Sequence, residues 1–282
     1  MSFKSFAVAD LAQPKVHDLL LSAIAPRPIA FVSTIDENGV YNLAPFSFFN
    51  VFSSNPPIAI FSPARSGRTG EPKHTHTNVL KNAACVINIA NQNIIHQLNL
   101  AAGMYPSGVD EFIKSGLTPI PSIKINVPRV AECFVQYECI VKEVIETGTG
   151  GGAGNLIICE VVMIHVNEAV IDAENNIDPL KMKYIARLGK QYWCNVNEEN
   201  IFTLPSFKMA NELGIGYDAL PDFIKKSELL SANEIAQLAT VTTLPEKDTT
   251  FNAGTSDYYT AAKTAIAASD LATAWQYLWL AE

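Results

Sequence analysis

The chain has 282 residues, is 48% hydrophobic, and carries 28 acidic against 20 basic side chains for a net charge of −8. That length holds one large domain, or a domain with a smaller appendage, around a sizeable core. The acidic balance excludes the broad basic face of a nonspecific nucleic-acid binder, and no apolar run reaches membrane-span length: the longest, Leu156 to Val166, is broken by Glu160 and His165.

The first 15 residues show no secretory pattern, because Asp10 and Pro14 interrupt them before any apolar run forms, and a cytoplasmic protein is expected. Pro28 to Ile35 is β-rich, with Ile29, Phe31 and Ile35 alternating against smaller or polar residues, and Val40 to Leu43 resumes the extended pattern. Between them, Asn38-Gly39 predicts a tight hairpin turn in which both central residues take positive φ. Residues 42–50, NLAPFSFFN, read as a small-residue loop. Pro45 removes a backbone donor and restricts Ala44, and small side chains let the backbone approach a ligand closely. Pro56-Pro57 ends a loop, and Ile58 to Phe61 reads as a buried strand.

A basic segment follows. From Ala64 to Lys81, Arg65, Arg68, Lys73 and Lys81 face the single acid Glu71, and Ser62, Ser66, Thr69, Thr75 and Thr77 add hydroxyls. Backbone amides, hydroxyls and Arg or Lys are the groups that bind a phosphate. Hairpin, small-residue loop, buried strand and basic segment in this order suit a pocket for a planar, phosphorylated cofactor. Taken alone, the basic segment reads first as a solvated loop that happens to be basic.

Asn78 to Asn82 reads as a helix start and Ala84 to Ala90 as a strand. Residues 91–117 are helical or irregular, with a short helix over Val109 to Ser115. Residues 127–146 alternate well enough for one long, bent strand, with Leu156 to Val166 as its hairpin partner and Ala169 to Ile171 as a further short strand. Many extended segments separated by turn signals predict an antiparallel barrel or sandwich. Gly148 to Ala153 satisfies the dinucleotide pattern G-x-G-x-x-A, but the chain continues into Asn155 to Val162, which is strand. The pyrophosphate grip needs a helix N-terminus at that point, so this is a hairpin loop, read as a mobile rim over a site.

Cys85, Cys133, Cys139, Cys159 and Cys194 are scattered with no zinc spacing, and are read as buried free thiols. His74 and His76 share a face of an extended chain but have no third ligand nearby, so no metal site is assigned. Near residue 200 the pattern becomes helical, with breaks at Gly214, Gly216, Pro221 and Pro245. Ser231 to Glu234 is a capping-box pattern, and Leu271, Trp275 and Leu278 follow helical spacing within Ser256 to Leu280. Packing on the main domain or a second subunit is the role read for that segment. The domains expected are 1–200 and a helical extension, 201–282.

Several ordered blocks are similar to one family. They are Pro26-Arg27-Pro28 running into Ile29 to Thr34, then Asn42 to Asn50, Asn55-Pro56-Pro57, Lys73-His74-Thr75 with Asn78, Leu156 to Val162, and Arg187 to Tyr192. Over roughly residues 15–200 the chain resembles the flavin reductase-like, FMN-binding split-barrel family. It departs from the family pattern at His74, where an Asp is usual, and at Cys159, where a Gly is usual.

The resemblance implies a mainly β fold, an antiparallel Greek-key split β-barrel with peripheral helices, forming a homodimer with FMN near the interface. By position, Asn42, Ala44, Ser47 and Asn50 would line the isoalloxazine, largely through backbone groups, and Ser62, Arg68, Lys73 and Thr75 would hold the phosphate. Arg187 is left between a structural, an interface and a cofactor role. The expected activity is NAD(P)H-dependent flavin reduction, with the nicotinamide as transient co-substrate passing hydride to flavin N5. The chemistry is cofactor-borne, so no catalytic side chains are assigned. Reduced flavin would go to a partner monooxygenase or another electron acceptor. Two alternatives stand beside this: an FMN-holding electron carrier without reductase turnover, and a non-catalytic dimeric interaction module.

Overall fold

The computed structural model describes residues 2–204 and 213–282. The chain divides into two compact units, Met1–Ile201 and Phe202–Glu282. The first unit opens with helix α1 (Gln13–Ala23) and continues through strands β1 (Ala30–Ile35), β2 (Tyr41–Phe46), β3 (Phe49–Ser54) and β4 (Pro57–Phe61). Helix α2 (His74–Asn82) leads to β5 (Ala84–Ile89), then α3 (Ile95–Ala101) and α4 (Glu111–Ser115). Short strands β6 (Pro119–Ile120) and β7 (Arg129–Val130) precede the long hairpin β8 (Val135–Glu146) and β9 (Asn155–Val166), followed by β10 (Ile185–Arg187) and β11 (Trp193–Asn195).

Seven strands form one antiparallel sheet in the order β2-β1-β5-β8-β9-β4-β3. The two edge strands, β2 and β3, are joined by only Ser47 and Phe48. A flat seven-stranded sheet would hold its edges roughly 29 Å apart, whereas that link spans at most about 11 Å. The sheet must therefore curl until its edges meet, and it does so without pairing β2 to β3: a split barrel. Register shifts between Glu138 and Cys139 and between Val141 and Glu143 in β8 supply bending.

The barrel interior holds Val32, Phe46, Phe61, Ile87, Ile157 and three thiols, Cys85, Cys139 and Cys159. A second cluster packs Phe31 and Leu43, on the other side of β1 and β2, against Leu98, Ala101 and Phe112 from α3 and α4. β1 is buried on both faces, and its two polar residues, Ser33 and Thr34, are hydrogen-bonded to the Pro128 carbonyl and to Asn42. The apolar thiols belong to this packing; burial pushes the Cys133 thiol well above its ordinary range.

Several local expectations are corrected. The first hairpin closes through Asp36–Val40, where the Asp36 carboxylate accepts from Asn38 N–H and Val40 N–H, both at 2.8 Å, and Gly39 takes positive φ but Asn38 does not. Residues 42–46 are strand, not loop; Pro45 is tolerated because β2 is an edge, where a missing N–H costs no ladder bond. α2 begins at His74, so His74 and His76 do not share an extended face. The long strand expected over 127–146 is interrupted between β7 and β8, and residues 168–170 form a 3-10 turn instead of a strand.

One buried acid ties the segment before β7 to the barrel. Glu138, fully buried on β8, accepts Ile123 N–H at 2.7 Å and Lys124 N–H at 2.6 Å, and meets His165 Nε2 at 2.6 Å. Burial pushes this carboxyl up, but the two backbone amides and His165 outweigh it, and the net shift is downward. A carboxyl depressed in the folded state stabilises the protein above its unfolded value, near 4.3, and loses that contribution as pH falls through the folded value. Glu138→Gln is accordingly expected to cost about 1–2 kcal/mol at neutral pH and to flatten the acid limb of the stability curve, measured by urea unfolding between pH 3 and 7.

The second unit contains α5 (Asp222–Lys225), α6 (Ala232–Leu238), α7 (Tyr258–Ala267) and α8 (Leu271–Ala281) around Ile224, Leu238, Ile266, Trp275 and Leu278. Ser231 and Glu234 form the expected reciprocal cap: Glu234 N–H donates to Ser231 Oγ at 3.2 Å and Ser231 N–H to Glu234 Oε2 at 2.6 Å. The segment Ser256 to Leu280 is two helices, because Ser269 adopts a left-handed conformation and Asp270 caps the second. Residues 205–212 of the helical reading lie outside the described residues. Among the described residues no helix is long and apolar enough to cross a membrane.

Candidate functional site

A cavity of about 340 Å³ opens beside β2. Ala44, Pro45 and Phe46 form one side, the segment Ser66 to Thr75 forms the basic end, and Ala101 to Pro106 with Glu111 closes the opposite wall. The basic end is built on the start of α2. Lys73 is the N-cap residue, and no side chain caps that terminus. The first helical bond is Thr77 N–H to the Lys73 carbonyl at 3.2 Å, so the amides of His74, Thr75 and His76 have no helical acceptor. Uncapped amides and the helix dipole together favour an anion. Arg68 and Lys73 line the same end and form no ion pair among the described residues.

Arg65 behaves differently. Its guanidinium lies 3.2 Å from Glu146, which also meets the buried His76 at 3.2 Å. Burial depresses the His76 imidazole, with the nearby Glu146 opposing and Arg65 reinforcing that shift. The basic loop is further tied to the tip of the β8–β9 hairpin: Arg65 N–H donates to the Ala153 carbonyl at 2.8 Å, and Gly152 N–H to the Arg65 carbonyl at 3.1 Å. A Cβ at Gly151 would stand 3.0 Å from the carbonyl oxygens of both Ser66 and Gly67. The glycine-rich tip is thus a close-fitting buttress for the basic loop, in place of the expected mobile rim.

Of the eight residues singled out from the sequence, Asn42, Ala44, Arg68, Lys73 and Thr75 line this cavity. Ser47, Asn50 and Ser62 do not. Ser47 sits at the link between the barrel edges and accepts from Arg27 Nε at 3.3 Å. Asn50 lines a separate, apolar hollow of about 190 Å³ with Phe49, Tyr137 and Tyr184. Ser62 is buried and accepts Asn155 N–H at 3.0 Å, joining β9 to the loop after β4.

Two of the five gathered residues have occupied side chains. Asn42 Oδ1 accepts from Thr75 Oγ1 at 2.9 Å and from Thr34 Oγ1 at 3.2 Å, while its Nδ2 donates to Glu111 Oε2 at 2.9 Å. The Thr75 hydroxyl proton therefore already has an acceptor, and what Thr75 offers to an anion is its backbone amide.

Glu111, Tyr105 and Met104 are wall residues that sequence reasoning missed. Asp110-Glu111 reads locally as a helix start, and Asp110 does cap α4, accepting from Phe112 N–H at 2.7 Å. Nothing local signals that Glu111 turns inward. It is 3% exposed, and burial pushes its carboxyl up while bonds from Leu43 N–H and Asn42 pull it down.

Two distant sequence blocks meet through their backbones. Arg27 and Arg187 exchange backbone N–H···O bonds of 2.9 Å. Arg187 stacks over Trp193 at 4.8 Å and donates to the Lys190 carbonyl at 2.9 Å, which is a structural role. Among the described residues no three His, Cys, Asp or Glu side chains are placed to hold a metal ion.

A family model for the flavin reductase like domain matches residues 22–183. The uncharacterised protein YwrF of Bacillus subtilis is 33% identical over 204 residues, covering 71% of this chain and 98% of its own. Among solved structures, nitrilotriacetate monooxygenase component B from Bacillus cereus is 31% identical with a TM-score of 0.68, over 72% of this chain and 100% of that one. Flavoredoxin of Desulfovibrio vulgaris is 21% identical with a TM-score of 0.56, over 73% and 98% of the two chains, a likeness of fold alone.

Proposed function

The chain belongs to the flavin reductase-like family, and on that premise we propose that the cavity beside β2 holds FMN and that the protein is an NAD(P)H-dependent flavin reductase. The observation that carries this is the basic end of the cavity. Three amides without helical acceptors, Arg68 and Lys73 with no ion pair among the described residues, and the hydroxyls of Ser66 and Thr69 line that end beside the single acid Glu71, in a chain of net charge −8. Such a donor set fits a phosphate and has little use without an anion.

The residues present fit the rest of the group as well. Ala44 and Pro45 leave the β2 backbone accessible to a planar ring, and Phe46 stacks on Phe61 at 5.5 Å, which fixes that wall. When bound, the flavin supplies hydride acceptance at N5, so the protein needs no acid–base pair for that step. What this chain contributes is anchorage by Lys73, Arg68 and the α2 amides, orientation by β2, and partial exclusion of water by the Ala101–Pro106 wall.

We favour transfer of reduced flavin to a partner oxygenase over a permanently held electron carrier. The support is the likeness to a monooxygenase component at over 30% identity, whereas the likeness to flavoredoxin is one of fold. Exposed Phe48, Val51 and Phe52 at the β3 edge and Val162 and Ile164 on β9 support association of two copies.

The test is spectroscopic. Purified protein titrated with FMN is expected to perturb the visible flavin bands, and anaerobic NADH or NADPH to bleach them with turnover. Binding without bleaching by either nucleotide would favour the carrier; absence of binding would remove the reading.

A further inference from the structure

The hydrogen bonds within the cavity wall single out a residue that need not touch the phosphate. Glu111 Oε2 accepts Leu43 N–H at 3.0 Å and Asn42 Nδ2 at 2.9 Å. The Leu43 amide is turned to Glu111, away from β1, and because β2 is an edge strand no strand lies on that side to take it. Asn42 then takes the hydroxyls of Thr75 and Thr34, and Asn78 Nδ2 donates to Thr34 Oγ1 at 3.0 Å. Every member is buried. The bonds link α4 through β2 to both β1 and α2.

The direction of the chain follows from its first member. Leu43 offers only N–H, so Glu111 must accept, and Asn42 turns its amide nitrogen toward Glu111 and its oxygen toward Thr75. That oxygen holds the second residue of α2. A buried acid with no cation partner among the described residues is costly, and orienting this network is what it does here.

We propose that Glu111 is a positioning residue for the anion-binding end of the cavity: through Asn42 and Thr75 it holds the first turn of α2 where the His74, Thr75 and His76 amides converge with Lys73 and Arg68. This deepens the FMN reading and rests on it. The ligand group Glu111 serves is the phosphate; it makes the site discriminate phosphorylated from unphosphorylated flavin.

The experiment compares FMN with riboflavin, which lacks the phosphate, by fluorescence titration of wild type, Glu111→Ala, Glu111→Gln and Thr75→Val, with a thermal melt of each. Glu111→Ala and Thr75→Val are expected to weaken FMN about ten-fold, as for loss of one buried hydrogen-bonded link, while riboflavin, which lacks the phosphate but still meets the Asn42 and Glu111 wall, loses clearly less. Glu111→Gln, whose amide oxygen still accepts both N–H groups, should recover most of the FMN affinity. Glu111→Ala combined with Thr75→Val should weaken FMN little more than either alone, since both break one chain. Equal losses for FMN and riboflavin overturn the positioning role. So does unchanged FMN affinity in Thr75→Val, which keeps the side-chain shape should Glu111→Ala fail to fold. Wild-type protein that binds neither flavin overturns the FMN reading itself, and the inference with it.

Discussion

Replacing Arg27 by alanine is expected to cost the first unit about 3–5 kcal/mol of stability, the range for removing a buried charged donor from several acceptors at once. Arg27 is 5% exposed. Its guanidinium donates to the Leu21 carbonyl, to the Ile24 carbonyl at 2.8 Å, to the Leu188 carbonyl at 3.0 Å and to Ser47 Oγ at 3.3 Å. One side chain thus closes the C-terminal end of α1, pins the segment after β10, and holds the two-residue link between the barrel edges. Alanine leaves those carbonyls without their donor. Lysine keeps the charge but has no planar fork to reach divergent acceptors, so Arg27→Lys should recover only a minor part. Burial and the neighbouring Arg187 lower the Arg27 pKa, which still leaves a guanidinium charged at neutral pH. Chemical denaturation read by circular dichroism checks this; a cost below about 1 kcal/mol would mean that water replaces the lost donor at those carbonyls.

Lys73→Ala is the second large effect, and it falls on binding instead of folding. Lys73 caps α2 by position, lines the basic end of the cavity and has no ion pair among the described residues. Its ammonium is thus free to meet a phosphate, and its loss should weaken FMN by about 1.5–3 kcal/mol, roughly ten- to 150-fold. Stability should move by less than about 0.5 kcal/mol, because no intramolecular partner is lost. Isothermal titration in parallel with thermal melts separates the two. Unchanged affinity with an intact fold would take Lys73 out of the site.

The contrast between Arg65, Arg68 and Lys73 shows how much of the site was readable beforehand. All three stand in the same basic segment, and composition treats them alike. Local sequence cannot say that Arg65 is drawn to Glu146, 81 residues away, while the other two line the cavity. Thr75 is a similar case. A hydroxyl in a basic, hydroxyl-rich segment reads as a phosphate donor, yet its proton is held by Asn42, 33 residues distant, and only its amide remains. Ser62, expected at the phosphate from the resemblance, accepts the Asn155 amide of β9, a contact that no local pattern announces.

Features set by short-range physics are legible in the chain. The alternation of β1, the apolar runs of β4 and β5, the hairpin of β8 and β9, the capping box at Ser231 and the strand after the Gly148–Ala153 run all follow from side chains within a few residues of one another. The tertiary structure alone decided which polar groups are used up. Barrel closure brings β2 and β3 together through a two-residue link, and α4 folds Glu111 against an edge strand that no neighbouring residue pattern announces. A hydrogen bond between residues dozens of positions apart depends on the closed shape of the sheet, and pairing of that kind leaves no periodicity in the chain.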